Sequence, residues 1–172
     1  MNLPSPSEGR IKMEENLVTL KIDDKEVKVK QGTTILQAAK QAGIDIPTLC
    51  FLKDINEVGD CRMCIVEVDG RKGFATSCIQ KAEEGMVVHT HSPAVMEARR
   101  VILDLILSNH HRDCLTCSRN GNCELQALAM KFNVQHVEFE GEMTEHKVDD
   151  KSPAIMRDFN KCILCRRCVA TC

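Results

Sequence analysis

The 11 cysteines of this 172-residue chain fall into three groups, and this grouping limits what the chain can fold around. Aromatic residues make up only 3% of the sequence, with no Trp or Tyr, so apolar packing alone is a weak source of stability. In a reducing compartment, cysteines at this density indicate metal or redox chemistry more than disulfides. We therefore expect metal sites to help to hold the fold together.

Composition also excludes several classes of function. The first sixteen residues, MNLPSPSEGRIKMEEN, are polar and lack the apolar segment of a secretion signal. The most apolar stretch, residues 101–107, is interrupted by Asp104 and preceded by Arg99 and Arg100, so no membrane span is predicted. The net charge of −2 and the scarcity of aromatic side chains do not indicate a surface that binds nucleic acid. We expect a cytoplasmic protein.

The first half of the chain predicts an α+β arrangement with a mixed sheet. Alternation in LVTLKID and EVKVK predicts a hairpin, and TILQAAKQAG predicts a helix that ends at Gly43. A long loop over 44–63 follows, and then strands over 65–69 and 86–89. Strands interrupted by one helix are typical of α+β folds.

The second half of the chain predicts helices around further cysteines. Ser92 and Pro93 open a helix that runs to Ser108, and a second helix covers about 124–132. The apolar positions of the first helix are Val95, Ala98, Ile102, Leu105 and Ile106. The expected division of the chain is a disordered tail over 1–15, domains over 16–91 and 92–139, a linker over 140–157, and a third cysteine cluster over 158–172.

The first cysteine group consists of Cys50, Cys61, Cys64 and Cys78. Three of these lie on or beside the long loop and the fourth follows later, which is typical of a two-iron cluster wrapped by one loop. The plant-type pattern is C-x4-C-x2-C with a remote fourth Cys; here the first gap is wider and the last is shorter. A structural zinc site is the alternative, because four thiolates that include a C-x2-C pair also suit zinc.

The second group is H-x3-C-x2-C-x5-C, formed by His110, Cys114, Cys117 and Cys123. Alone it would also suit zinc, but beside two further cysteine groups it indicates a four-iron cluster with one imidazole ligand. The spacing favours His110, and His111 is the competing ligand. The other histidines have no cysteine partners nearby and are expected at the surface.

The third group, Cys162, Cys165, Cys168 and Cys172, has the C-x2-C-x2-C-x3-C spacing of bacterial ferredoxins. In that pattern three cysteines hold one four-iron cluster and the fourth ligates a second cluster. The partner run for Cys172 does not occur in the sequence, so we expect this site to be incomplete here and the chain to be a fragment. Arg166 and Arg167 lie where they would offset the negative charge of a cluster.

The segments GDCRMCIVEVDG, NHHRDCLTCSRNGNCELQ and NKCILCRRCVATC together resemble the N-terminal electron-transfer region of iron-only (FeFe) hydrogenases. The resemblance is strongest to the catalytic subunit of NAD(P)-linked multimeric enzymes, and it runs from about residue 16 to the end. Related proteins are the large iron–sulfur subunit of complex I and the alpha subunit of NAD-dependent formate dehydrogenase. Complex I proteins lack a Cys at the spacing of Cys172.

The resemblance implies a plant-type ferredoxin β-grasp domain, a small helical His/Cys cluster domain and the start of a bacterial-type ferredoxin domain. It implies a 2Fe-2S cluster on the first group and 4Fe-4S clusters on the second and third. The implied partners are a flavin subunit that oxidises NAD(P)H and a small thioredoxin-like 2Fe-2S subunit.

The expected function is the relay of single electrons towards the active site of a hydrogenase. The same relay in a formate dehydrogenase or a complex I-like NADH dehydrogenase is an alternative, and a zinc-binding interaction module is an alternative from another class. No isolated Cys–His–acid set indicates a catalytic cysteine. The chain is therefore expected to lack a catalytic centre of its own while forming part of an oxidoreductase.

Overall fold

The computed structural model describes residues 16–139 and 143–172. The tail predicted over 1–15 lies outside the described residues. Five strands form one mixed sheet in the order β2-β1-β5-β3-β4. The strands are β1 (Leu17–Ile22), β2 (Lys25–Lys30), β3 (Ile65–Val68), β4 (Phe74–Thr76) and β5 (Val87–His89).

Four α-helices accompany the sheet within the described residues. They are α1 (Ile35–Gln41), α2 (Pro93–Ser108), α3 (Glu124–Lys131) and α4 (Arg167–Thr171), with single 3-10 turns at Cys114–Thr116 and Phe159–Lys161. The chain is thus a mixed α+β protein with few helices, as the sequence predicted. None of the helices in the described ranges combines the length and the apolar character needed to cross a bilayer.

The sheet forms because its strands alternate between buried and exposed side chains. In β1, Val18, Leu20 and Ile22 point into the core, while β2 contributes Val27 and Val29. The predicted hairpin is confirmed, with β1 and β2 antiparallel from the Leu17–Lys30 pair to the Ile22–Lys25 pair. The mixed character comes from β5, which is parallel to β1 and antiparallel to β3.

Helix α1 covers the sheet and begins where the sequence predicts. Thr34 is its N-cap: its hydroxyl accepts from the N–H of Gln37, whose side chain accepts from the N–H of Thr34 in return. The buried side of the helix, Ile35, Leu36, Ala38 and Ala39, packs into the same core as β1 and β2. The hydrogen bond from the Leu36 N–H to the Ser77 carbonyl then ties the start of α1 to the residue before Cys78.

Helix α2 begins at the predicted Ser92 cap and Pro93 and ends at the predicted Ser108. Its buried residues are Val95, Arg99, Leu103 and Asp104. Of the other apolar positions, Ile102 and Ile106 are partly buried against the core and Leu105 is 52% exposed. The two buried charged residues have backbone partners: Arg99 donates to the carbonyl of Met63 before β3, and Asp104 accepts the backbone N–H of Glu138.

Candidate iron–sulfur sites

The first cysteine group is assembled from separate stretches of backbone. Cys50 ends the loop after α1, Cys61 and Cys64 lie in the turn before β3, and Cys78 follows β4. Cys50, Cys64 and Cys78 are buried and Cys61 is half-buried. The structure therefore brings together all four side chains that the sequence predicted as ligands.

Cys50 and Cys61 form one close pair. The backbone N–H of Cys50 donates to the Sγ of Cys61 at 3.3 Å, and the N–H of Cys61 donates to the Sγ of Cys50 at 3.5 Å. A hydrogen bond from the Cys50 thiol lowers the pKa of Cys61 to about 6, and the same contact raises the pKa of Cys50. One sulfur of the pair is therefore a thiolate at neutral pH, which is the form that binds metals.

Cys64 and Cys78 form the second pair in the same way. A hydrogen bond from the Cys78 thiol lowers the pKa of Cys64 to about 7 and raises that of Cys78. The thiolate charge of Cys61 raises the pKa of Cys78 further, so the two pairs are close enough to interact. Four sulfurs in two pairs, each with backbone donors, make a donor set that fits a cluster of two irons.

Hydrogen bonds from neighbouring residues hold the loops that carry these sulfurs. The Ser77 hydroxyl and its backbone N–H both donate to the carbonyl of Cys64, at 2.7 and 3.1 Å. The guanidinium of Arg62 donates to the Thr76 hydroxyl at 2.7 Å. The turn that carries Cys61 and Cys64 is thus fixed to the strand that precedes Cys78. Such contacts orient ligands and stabilise a site before it is loaded.

The second group lines a cavity of about 370 Å³ between the end of α2, the loop over 109–123 and the segment over 156–167. His110, Cys114, Cys117 and Cys123 all contribute to its walls, as does His111. Burial lowers the pKa of His110, which favours the neutral imidazole that a metal requires. The buried Nδ1 of His110 has no hydrogen-bond partner among the described residues. A buried donor or acceptor without a partner fits a site built for a ligand.

The third group is more open than the other two. Cys162, Cys168 and Cys172 are exposed, and Cys165 is half-buried. The backbone turns sharply at Leu164 and Arg166, which both have positive φ, and the N–H of Leu164 donates to the Sγ of Cys162 at 3.4 Å. Tight turns that aim N–H groups at sulfur are suited to a cluster-binding loop, although few of the described residues cover it.

Hydrogen bonds connect the third group to the other two. The side-chain amide of buried Asn56 donates to the carbonyl of Cys50 at 2.8 Å and to the carbonyl of Cys165 at 3.0 Å. Arg167 donates to the Phe51 carbonyl at 3.1 Å and pairs with Glu124, at the start of α3, at 2.8 Å. The three cysteine groups therefore form one connected region.

Two residues of this region were not found from the sequence. Nothing in the local pattern around Asn56 indicates a contact with a residue 109 positions later. Arg99 did carry a signal, since it lies four residues after Val95 and four before Leu103 on the buried face of α2. In the sequence alone, the charge of Arg99 indicates only that the helix does not span a membrane.

Comparison with known families assigns two parts of the chain. Residues 15–93 match the model of a 2Fe-2S iron–sulfur cluster binding domain. Residues 99–138 match the NADH-ubiquinone oxidoreductase-G iron–sulfur binding region. The chain is an iron–sulfur electron-transfer region. Both predicted cluster types, 2Fe-2S and 4Fe-4S, are supported by these matches.

The iron–sulfur region is similar to parts of longer oxidoreductase subunits. It is 45% identical over 162 residues to the NADP-reducing hydrogenase subunit HndD of Solidesulfovibrio fructosivorans, covering 91% of this chain and 28% of that protein. It is 37% identical over 154 residues to the mitochondrial NADH-ubiquinone oxidoreductase 78 kDa subunit of Neurospora crassa, covering 88% of this chain and 21% of that protein. The chain thus spans less than a third of the length of these curated relatives.

A solved hydrogenase structure also resembles this chain in its fold. The crystal structure of an NAD+-reducing NiFe hydrogenase in its H2-reduced state matches the iron–sulfur region with a TM-score of 0.83 and 33% identity. The match covers 89% of this chain and 64% of the hydrogenase chain. The mixed α+β arrangement described above is therefore shared with a chain of an NAD+-reducing hydrogenase.

Proposed function

We propose that Cys50, Cys61, Cys64 and Cys78 hold the 2Fe-2S cluster, with Cys50 and Cys61 on one iron and Cys64 and Cys78 on the other. Four ligands divided between two irons give two ligands to each, and the sulfurs lie in two such pairs. The loop that carries them belongs to the matched 2Fe-2S domain. In finer terms, the proposed fold of residues 16–91 is a plant-type ferredoxin β-grasp.

His110, Cys114, Cys117 and Cys123 hold the first 4Fe-4S cluster in this proposal. The shared cavity, the neutral imidazole and the unpartnered Nδ1 of His110 support the assignment. His110 replaces an anionic thiolate with a neutral ligand, which raises the reduction potential of a cluster as it does in Rieske centres. The proposed small helical domain covers residues 92–139.

The third assignment is a second 4Fe-4S cluster on Cys162, Cys165 and Cys168, with Cys172 directed to another cluster. The ferredoxin spacing and the tight turns at Leu164 and Arg166 support it. Residues 158–172 are then the first half of a bacterial-type ferredoxin domain, and residues 140–157 connect it to the helical domain.

The proposed function of the whole protein is to relay single electrons between NAD(P)H and the active site of a hydrogenase. One observation carries it: the three candidate cluster sites form one region, with Asn56 bonded to a ligand residue of the first site and of the third. The clusters supply the redox chemistry when bound, and the chain supplies ligands, burial and hydrogen bonds.

The partners proposed are a flavin subunit that oxidises NAD(P)H and a small thioredoxin-like 2Fe-2S subunit, in a cytoplasmic complex. The relatives' names support the link to NAD(P) and hydrogen, since two of them are an NADP-reducing and an NAD+-reducing hydrogenase. An iron-only hydrogenase is the proposed parent enzyme. A complex I-like dehydrogenase is the second candidate, because NADH-ubiquinone oxidoreductase subunits match almost as much of the chain.

A zinc-binding module is less well supported by the geometry. A structural zinc site needs four donors around one ion. Within residues 16–139 and 143–172, no three Cys, His or acidic side chains converge on a single ion position. Donors spread over a volume suit clusters, in which several irons share the ligands.

Two measurements test the proposal. The chain, purified without oxygen, is expected to be brown and to contain iron and acid-labile sulfide, with distinct paramagnetic signals from the 2Fe-2S and the 4Fe-4S clusters at two levels of reduction. Zinc without sulfide would contradict it. The full-length protein is expected to reduce methyl viologen with hydrogen; activity with formate or NADH alone would instead identify a different parent enzyme.

A further inference from the structure

Arg99 is a buried charged residue that contacts the backbone of the first candidate cluster site. It lies on α2 and is fully buried, with 0% of its surface exposed. Its Nε donates to the carbonyl of Met63 at 3.1 Å, and its Nη2 donates to the carbonyl of Ile65 at 2.8 Å. Met63 and Ile65 flank Cys64, so the guanidinium holds the backbone on both sides of this proposed ligand.

The charge of Arg99 is not matched by a carboxylate in the part of the chain that the structure describes. Its Nη1 has no hydrogen-bond partner there, and its other close contact is the ring of Phe132, with the guanidinium carbon 5.9 Å from the ring centre. Among the charges that stabilise the guanidinium, that of Cys64 comes first, ahead of Asp45 and Asp23. Burying an unpaired cation is costly unless a partner charge compensates it.

The first negative charge that compensates Arg99 is therefore that of Cys64, followed by those of Asp45 and Asp23. Although burial lowers its pKa to about 10, Arg99 remains protonated at neutral pH. A fixed cation in a poorly solvated interior acts more strongly on a nearby charge than a surface cation does. Each electron that arrives at the site makes it more negative, and a buried positive charge favours that state.

We propose that Arg99 is a positioning and tuning residue of the 2Fe-2S site, which holds the Met63–Ile65 segment and raises the reduction potential of the cluster. The inference rests on the proposed assignment of Cys64 as a ligand. It assigns to α2 a function beyond packing: the helix that leads into the second site also supplies the buried charge of the first.

The neighbouring Arg100 offers a matched control. It lies on the same helix and also contacts Phe132, donating from Nε to the Phe132 carbonyl at 3.1 Å. However, its side chain is 50% exposed and lies 3.4 Å from Glu97, so its charge is paired and solvated. A substitution of Arg100 removes a positive charge from α2 without removing one from the back of the ligand turn.

The experiment measures the midpoint potential of the 2Fe-2S signal by anaerobic dithionite titration followed by EPR, in the wild type and in Arg99→Gln, Arg99→Lys and Arg100→Gln. At a fixed potential, Arg99→Gln is expected to lower the ratio of reduced to oxidised cluster at least about tenfold, or about 59 mV for one electron. Arg99→Lys and Arg100→Gln are expected to stay within about threefold of the wild type. The signal of the second site serves as an internal reference and should not shift.

The outcomes separate this inference from the proposed function. If the wild type shows the 2Fe-2S signal and Arg99→Gln leaves its potential unchanged, the tuning role is wrong and the cluster assignment stands. A wild type without the signal overturns both. If Arg99→Gln does not fold, Arg99→Met removes the charge in its place: a drop of tenfold or more in the same ratio supports the role of the charge, and a potential near that of the wild type overturns it.

Discussion

The amide nitrogen of Asn56 donates a hydrogen bond to the carbonyl oxygen of Cys165 at 3.0 Å, across 109 positions of sequence. The same nitrogen donates to the carbonyl of Cys50 at 2.8 Å. Asn56 is almost completely buried, so water does not compete for either bond. One side chain thus fixes the backbone at a proposed ligand of the first site to the backbone at a proposed ligand of the third.

We expect Asn56→Ala to loosen the third site while leaving the sheet intact. The buried carbonyl of Cys50 and the half-buried carbonyl of Cys165 lose their donor, and a buried polar group left without a partner costs about 1–3 kcal/mol. The expected result is a lower iron content at the third site and a lower melting temperature. The measurements are iron analysis, EPR and calorimetry of the reconstituted protein.

The control for this variant is Asn16→Ala, at an exposed position immediately before β1. It should change neither the iron content nor the melting temperature. If Asn56→Ala retained the same iron at the third site as Asn16→Ala, the hydrogen bond to Cys165 would have no role in holding that site.

The sequence predicted the elements that depend on local patterns. Both strands of the hairpin, the capped start of α1 and the Pro93 start of α2 follow from alternation and capping residues, which act over a few positions. Strand β4 was missed because Phe74–Thr76 is only three residues long and exists through its pairing with β3. A strand of that length has too few positions to show an alternating pattern.

The candidate ligand groups could be proposed for a different reason, which is that the spacing of cysteines is a property of the sequence itself. What the sequence could not give is how the groups lie against one another. The hydrogen bond between Asn56 and Cys165 joins residues 109 positions apart. The hydrogen bonds from Arg99 to Met63 and Ile65 join residues 34–36 positions apart. Such contacts depend on the packing of the complete chain, so no local pattern reports them.

Replacing His110 should affect the second cluster alone. In His110→Ala, the proposed ligand is removed from the cavity that it shares with three cysteines, so we expect lower occupancy of this cluster or a shifted potential. Loss of a contact that only supports a ligand typically lowers metal affinity by about 10–100-fold, so loss of the ligand itself is expected to cost at least as much. EPR and iron analysis of the reduced protein measure both effects.

His111→Ala is the matched control, because His111 lines the same cavity and was the competing ligand. It should leave the second cluster unchanged. A cluster that survives His110→Ala with unaltered spectra and is lost in His111→Ala would reverse the assignment of the imidazole ligand.

Exposure of the sulfurs predicts the order in which the clusters are lost. Three cysteines of the third group are exposed, whereas three of the first group are buried. Under an iron chelator we expect the third cluster to disappear first and the 2Fe-2S cluster last. A difference of about tenfold in rate corresponds to about 1.4 kcal/mol in the free energy of local opening. Absorbance and EPR recorded over time give the rates.

Two serine variants identify which signal belongs to which site. Cys165→Ser should remove the fast phase of cluster loss, which belongs to the third site, and leave the slow phase. Cys64→Ser should remove the slow phase, which belongs to the 2Fe-2S site, and leave the fast one. Loss of the 2Fe-2S signal before the others in the wild type would contradict the proposed link between burial and persistence.

Gly59 allows the two halves of the first site to approach, so Gly59→Ala should weaken both the fold and the cluster. A Cβ at this position would lie 3.1 Å from the Cγ2 of Thr76 and 3.2 Å from the Cδ1 of Ile79, which flank the segment containing Cys78. Its φ of +70° adds backbone strain for any side chain. We expect a loss of about 2–4 kcal/mol in the free energy of unfolding, from strain and overpacking together.

Gly73→Ala separates these two causes. Gly73 has a φ of +76° but open space where a Cβ would lie, so only the strain remains and the expected cost is about 1–2 kcal/mol. Denaturant unfolding gives the stabilities, and the 2Fe-2S absorbance gives the occupancy. If the two variants lost equal stability and equal 2Fe-2S occupancy, the absence of a side chain at Gly59 beside Thr76 and Ile79 would not be needed for the first site.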